Sequence, residues 1–216
     1  MEFNGLMAGF YRISLLISRM AYVNILWLAF TLAGLVVFGF MPATVAMFSV
    51  VRQWIHKNAD VEVFRFFWKT YKTEFLKSNA LGAVLLVIGT LLYVNFQLVQ
   101  APAWWMMMLR YAFLVLSVFF AMILLFIFPT YAHFELKLVH YIRTALLVAM
   151  SYPHYVFAMG VGIYGLQELM LFAPGFIPFF AASCVGYLVM WLADKAFKKL
   201  RYMPGTRVRS TPVSNG

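Results

Sequence analysis

The feature that most constrains this chain is a succession of apolar runs long enough to cross a bilayer, the first being AYVNILWLAFTLAGLVVFGFM at Ala21–Met41. Crossing the hydrocarbon core takes about 20 apolar residues of helix, within a range of about 17 to 25. By that criterion spans are predicted at 21–41, 79–97, 105–128, 155–172 and 176–193. Lipid offers no hydrogen bonds, so each run must satisfy its own backbone and becomes a helix. The predicted fold is all-α: a polytopic membrane helix bundle of five transmembrane helices with interfacial amphipathic helices beside them. One integral-membrane domain covers 1–202, and a polar, flexible tail covers 203–216.

Composition agrees with this reading. The chain is 64% hydrophobic and 11% charged, against about 25% charged in a soluble domain, so water is not its solvent. Its formal charge of +10 lies in short segments between apolar runs rather than on one continuous face, which argues against nucleic acid as a partner. The first run is longer than the about 7 to 15 residues of a signal-peptide core and lacks an A-x-A-like site, so it is expected to be retained. Cys184 is the sole cysteine and is expected to be a packing residue.

Lys and Arg mark the cytoplasmic side. Arg52, Lys57, Arg65, Lys69, Lys72 and Lys77 lie between spans one and two, Lys137 and Arg143 between three and four, and Lys195, Lys198, Lys199, Arg201, Arg207 and Arg209 near the C-terminus. Arg12, Arg19 and Arg110 remain for the other side. The bias predicts an N-terminus outside and a C-terminus in the cytoplasm, with Trp104 and Trp105 in the outer aromatic belt. Met1–Met20 carries apolar residues at helical spacing and reads as an interfacial helix.

Pro42 is expected to end the first span at the cytoplasmic face. Beyond it, Asp60 is a suitable N-cap for a helix whose aromatic face includes Phe64, Phe67, Trp68, Tyr71 and Phe75. Such a face, with Arg65, Lys69 and Lys72 beside it, ordinarily lies at the lipid headgroups. Its sharper reading is a docking surface made of Phe64, Arg65, Trp68, Lys69, Tyr71 and Lys72. FIFPTYAHFELK echoes the earlier FGFMPATVAMF, and chemistry at a membrane face accounts for the likeness as well as duplication does.

Few polar groups lie within the runs. Asn95, Gln97, Arg110, Gln167 and Glu168 fall at similar outer depths, where an Arg110–Glu168 ion pair would line a vestibule for a polyhydroxylated solute such as an oligosaccharide. The plainer reading has Arg110 and Glu168 reaching separately for the headgroups. His133 and His140 fall on one expected helix with Lys137 between them, and that cation opposes a metal. No metal site, cofactor or catalytic residue is predicted: Gly-x-Ser-x-Gly, His-Glu-x-x-His and P-loop patterns are missing from the sequence. The pairs Ala29/Ala33 and Ala182/Gly186 are small-xxx-small patterns that suit close helix packing.

The opening GLMAGFYRISLLISRMAYVNILWLAFTLAGLVVFGFMPATVAMFSVVRQWI, with the later FPTYAHFE, resembles the YesL-like proteins, bacterial multipass membrane proteins with a domain of unknown function. The resemblance implies a bacterial cell membrane and an accessory, non-enzymatic role beside an ABC importer of oligosaccharides. Contacts with the importer's permease or ATPase subunits, and with the lipid bilayer, would follow. It supplies no catalytic residues. The Glu-Ala-Ala run of an importer permease's coupling loop does not occur in this sequence. A stand-alone small-solute transporter or channel is the alternative, and an enzyme acting on lipid or cell-wall precursors is a third class.

Overall fold

The computed structural model describes the backbone of residues 5–56, 61–98 and 104–201, and the side chains of 14–56, 61–97 and 104–200. Among them are the helices α1 (Gly5–Ala33), α2 (Val37–Ile55), α3 (Val63–Leu98), α4 (Trp104–His133), α5 (Leu138–Ser151), α6 (Pro153–Phe172) and α7 (Ile177–Arg201). A 3₁₀ turn at Pro174–Phe176 joins the last two. Five stretches are long and apolar enough to cross a membrane: Ser14–Ala33, Val63–Gln97, Trp104–His133, Pro153–Phe172 and Pro174–Leu200. The chain is a multipass membrane protein, and the polytopic helical bundle is as expected. Leu35, Trp104, Val139, Phe157 and Phe172 are each more than two-thirds exposed, which suits lipid and not water.

The first apolar run departs from expectation, because the single span over 21–41 is divided. α1 stops at Ala33, the chain turns through Gly34–Val36, and α2 returns antiparallel to it. Trp27 marks the pairing: its Nε1 donates to Thr44 Oγ1 at 3.0 Å and its ring meets Phe40 edge-on at 5.9 Å. Two glycines make the turn possible. A Cβ at Gly34 would run into Gly39 Cα, and one at Gly39 would run into Thr31 O. The last carbonyls of α1, which lack partners within the helix, are taken up by Gly34 N (to Phe30 O, 3.1 Å), Val36 N (to Thr31 O, 2.9 Å) and Leu35 N (to Leu32 O, 3.0 Å). Leu35 and Val36 hold positive φ of 59° and 61°; Val36, with ψ of −62°, sits at the centre of a γ-turn closed by Val37 N to Leu35 O at 2.7 Å, and such sparsely populated backbone costs about 1–3 kcal/mol per residue.

Pro42 lies inside α2 rather than at the end of a span. Proline has no N–H to give the carbonyl four residues back. That carbonyl belongs to Phe38, and Asn79 Nδ2 of α3 donates to it at 2.9 Å, binding α3 to α2 where α2's own ladder is broken. Asn79→Leu should therefore cost about 1 kcal/mol in thermal unfolding in detergent. In a Pro42→Ala background the same change should cost clearly less, because the substituted residue brings its own backbone N–H to the Phe38 carbonyl. Equal costs in the two backgrounds would refute the link.

α2 is the centre of the bundle, with Pro42–Phe48, Val50 and Val51 buried against α1, α3, α4 and α7. The Ala182/Gly186 pattern serves this packing, since a Cβ at Gly186 would meet Met47 Cε at 2.9 Å. Ala29 and Ala33 are exposed and do not. Asn24, 2% exposed, fastens α1 to α7 by donating to Pro178 O (2.7 Å) and accepting from Ser183 N (3.0 Å). Burial on α3 stops at Leu85, and on α4 it begins only at Phe126. The core is thus weighted toward the end of the bundle that carries Arg52, Lys77, Lys137 and Lys198, called here the basic end. The outer parts of α3 and α4 form an arm whose flanks are open.

Other expectations are adjusted. α1 continues through Met20 to Ala33, so Met1–Met20 does not end as a separate helix. The basic aromatic segment and span two form one helix of 36 residues, about 54 Å long at 1.5 Å per residue, well beyond a hydrocarbon core of about 30 Å. The α6–α7 hairpin is as expected. Lys57, Asp60 and the tail 203–216 lie outside the described residues.

Candidate functional site at the basic end

Where α2, α3, α4 and α5 meet, a recess of about 160 Å³ is lined chiefly by polar side chains, among them Ser49, Arg52, Glu74, Lys77, Tyr131 and Tyr141. Its geometry follows from the break after α4. The chain runs non-helical from Phe134 to Lys137 before α5 begins, and Tyr141 gathers the loose backbone. The buried Tyr141 hydroxyl donates to Phe134 O (3.0 Å) and accepts from Leu136 N (3.0 Å) and Lys77 Nζ (3.2 Å). A phenol has one proton and two lone pairs, and all three are used. Tyr131 stacks on Tyr141 with ring centroids 4.5 Å apart and donates to Glu74 Oε2 at 2.6 Å. The Lys77 ammonium lies 5.4 Å and 5.2 Å from the two ring centroids, within cation–π range. Arg52 Nη1 donates to Ala132 O at 2.9 Å near the end of α4. Charged groups and hydroxyls here engage one another and join the four helices.

Beside the recess, the ends of α2, α4 and α7 bring together His56, His133 and Asp194. His56 Nε2 is 3.3 Å from Asp194 Oδ1, and Lys198 Nζ is 2.6 Å from Asp194 Oδ2. The two imidazole centroids are 6.0 Å apart, and His133 is flanked by Phe134 (4.7 Å) and Phe197 (4.9 Å). Sequence spacing alone puts His133 and His140 on one helix. The loop at 134–137 separates them, sending His133 inward while His140 stays exposed on α5.

The predicted docking face is partly consumed within the chain. Phe30 of α1 seats among Phe64, Phe67, Trp68 and Tyr71, with centroids 5.1–6.3 Å away. Tyr71 is buried and donates to Phe30 O at 3.2 Å. Phe64, Arg65, Trp68, Lys69 and Lys72 remain exposed; Arg65 pairs with Glu62 at 3.6 Å, and Lys72 lies over the Trp68 ring at 4.6 Å.

The outer polar residues are not gathered into one site. The Arg110 guanidinium lies 5.0 Å from the Phe96 ring centroid, and no Arg110–Glu168 ion pair forms among the described residues. Asn95 turns back to Leu91 O (2.7 Å) and Gln97 to Tyr93 Oη (3.3 Å). Glu168 is exposed on α6, and Gln167 borders a separate, apolar hollow with Ile163, Ile177 and Val185. Sequence reasoning missed Asn24, Asn79 and the set His56, His133 and Asp194. An asparagine inside an apolar run was a usable signal for Asn24, since a buried amide demands partners.

The family described as "Protein of unknown function, DUF624" matches residues 20–96. Three Bacillus subtilis (strain 168) proteins are similar to the chain. "Uncharacterized protein YteU" is 37% identical over 99% of this chain and 96% of its own length. "Uncharacterized protein YesL" is 36% identical, over 85% and 87%. "Uncharacterized protein YesV" is 35% identical, over 85% and 88%. No solved structure matches the chain.

Proposed function

The chain belongs to the YesL-like family of DUF624 membrane proteins, and from that premise we propose that it is a non-enzymatic accessory subunit of a bacterial ABC importer for oligosaccharides. The observation that carries the accessory reading is the uneven packing of the bundle. Its core is weighted toward the basic end, while Leu86, Leu91, Met108, Tyr111, Leu114 and Val118 on the arm of α3 and α4 are left open. Flanks of this kind accept helices of another membrane protein as readily as lipid. The carbohydrate part rests on the family resemblance. The exposed remainder of the aromatic face, Phe64, Arg65, Trp68, Lys69 and Lys72, is the surface offered to the permease or ATPase subunit. A stand-alone transporter has less support, because the outer polar groups turn to separate neighbours.

The bacterial cell membrane is the location in this reading, and the positive-inside rule puts the basic end and the C-terminus in the cytoplasm. The N-terminus lies outside in this reading: α2 is not among the five candidate spans, and α1 brings Phe30, near its end, to Phe64, Phe67, Trp68 and Tyr71 at the basic start of α3. The turn at Gly34–Val36 then lies on the cytoplasmic side and Arg19 on the other.

Purification of the tagged protein from its native membrane in mild detergent tests the assignment. An importer subunit is expected to copurify at near-equal amounts, and Phe64→Asp with Trp68→Asp should cut its yield at least about tenfold, equivalent to about 1.4 kcal/mol of binding. Recovery of the protein without any transporter subunit would sink the accessory reading.

A further inference from the structure

We propose that His56, His133 and Asp194 form a binding site for a divalent transition-metal ion such as zinc. The three come from the ends of different helices, α2, α4 and α7, and each offers one donor atom, all within 4.8 Å of one another. Zinc holds nitrogen and oxygen ligands at about 2.0–2.2 Å, which in a tetrahedron sets neighbouring donors about 3.3 Å apart. His56 Nε2 and Asp194 Oδ1 already stand at 3.3 Å. The remaining pairs, at no more than 4.8 Å, close by at most about 1.5 Å to reach that tetrahedral spacing.

The carboxylate supplies an independent reason. The Asp194 side chain is 3% exposed, and its buried Oδ1 has the His56 imidazole 3.3 Å away but no well-directed hydrogen bond among the described residues. A buried carboxylate oxygen calls for a cation, and an ion held between the two side chains would meet that need. Lys198 takes the other oxygen, Oδ2, at 2.6 Å, as an outer partner does when it fixes a ligating carboxylate. Its charge opposes the ion, but with a side chain 58% exposed it is free to turn toward water. Phe134 and Phe197 shield His133, and the half-exposed His56 opens the site to solvent on the remaining side. Two imidazoles and one carboxylate, with a position left for water, suit zinc and its neighbours in the first transition row rather than magnesium or calcium. The ion would tie three helix ends together. This does not depend on the importer assignment.

The test uses the full chain in detergent, carrying no polyhistidine tag, loaded with Zn²⁺ and freed of excess by gel filtration. About one zinc per chain is expected by elemental analysis, and Co²⁺ should give the intense visible absorption of a four-coordinate site. His56→Ala, His133→Ala and Asp194→Asn should each weaken binding about tenfold or more, while His140→Ala and His154→Ala retain it. His56 is the most exposed of the three, so His56→Ala separates ligation from folding: zinc should raise the Tm of the wild type and leave that of His56→Ala unmoved. Absence of retained zinc in the wild type, or equal binding by the wild type and His56→Ala, overturns the site and leaves a histidine–aspartate ion pair.

Discussion

Gly39→Val is expected to leave almost no monodisperse protein in mild detergent, and whatever survives should melt well below the wild type. A Cβ at this position would run into Thr31 O and lie 2.7 Å from Phe30 O and 2.9 Å from Thr31 Cα. These are backbone atoms of α1, so no side-chain rotation relieves the clash. Ordinary overpacking costs about 1–3 kcal/mol because neighbouring side chains can give way, and here α1 and α2 must part instead. Parting them would uncover the core that α2 supplies. Gly160→Val is the matched control, because a Cβ there meets nothing within 4 Å, and it should behave as wild type. Indistinguishable melting of the two variants by size-exclusion profile and thermal scan would show that the hairpin is not closed at Gly39.

The second large effect is all-or-none. With Cys184→Ser as background, Asn4→Cys and Trp104→Cys should both react fully with a membrane-impermeant maleimide in intact cells. Lys137→Cys, exposed at the basic end, should escape there and react in inside-out vesicles. The expectation comes from Phe30, near the end of α1, which packs on Phe64, Phe67, Trp68 and Tyr71 at the basic start of α3, while α2 is not among the five candidate spans. Protection of Asn4→Cys in intact cells, with labelling only in inside-out vesicles, would mean that α2 crosses the membrane as well.

The later spans were legible because each is a continuous apolar run bounded by polar or turn residues. The turn in the first run was not, because the two positive-φ residues are Leu35 and Val36, which hydropathy counts as more membrane and propensity counts as unfit for a turn. Gly34 and Gly39 were its visible trace, and they are meaningful only as a pair. Phe64, Trp68 and Tyr71 do share one helical face, as their spacing implies. That Phe30 of another helix would occupy the middle of it is a tertiary fact no periodicity carries. Spacing gave His133 the wrong companion, since the non-helical stretch at 134–137 breaks the expected helix and its neighbours are His56 and Asp194, far off in sequence. The Arg110–Glu168 pairing assumed that equal depth means contact, and the bundle gives Arg110 the ring of Phe96 instead.

Asn24 sets an order on how this protein can be completed. Its amide is buried in the first helix, yet both of its partners, Pro178 O and Ser183 N, belong to the last one, 154 and 159 residues later. While the chain is being made, that amide has no native partner within the membrane, and an unsatisfied amide in hydrocarbon is costly. The first hairpin is therefore left unfinished until α7 arrives, and a ribosome that stalls before Pro178 leaves behind a product whose opening helix has yet to find its place.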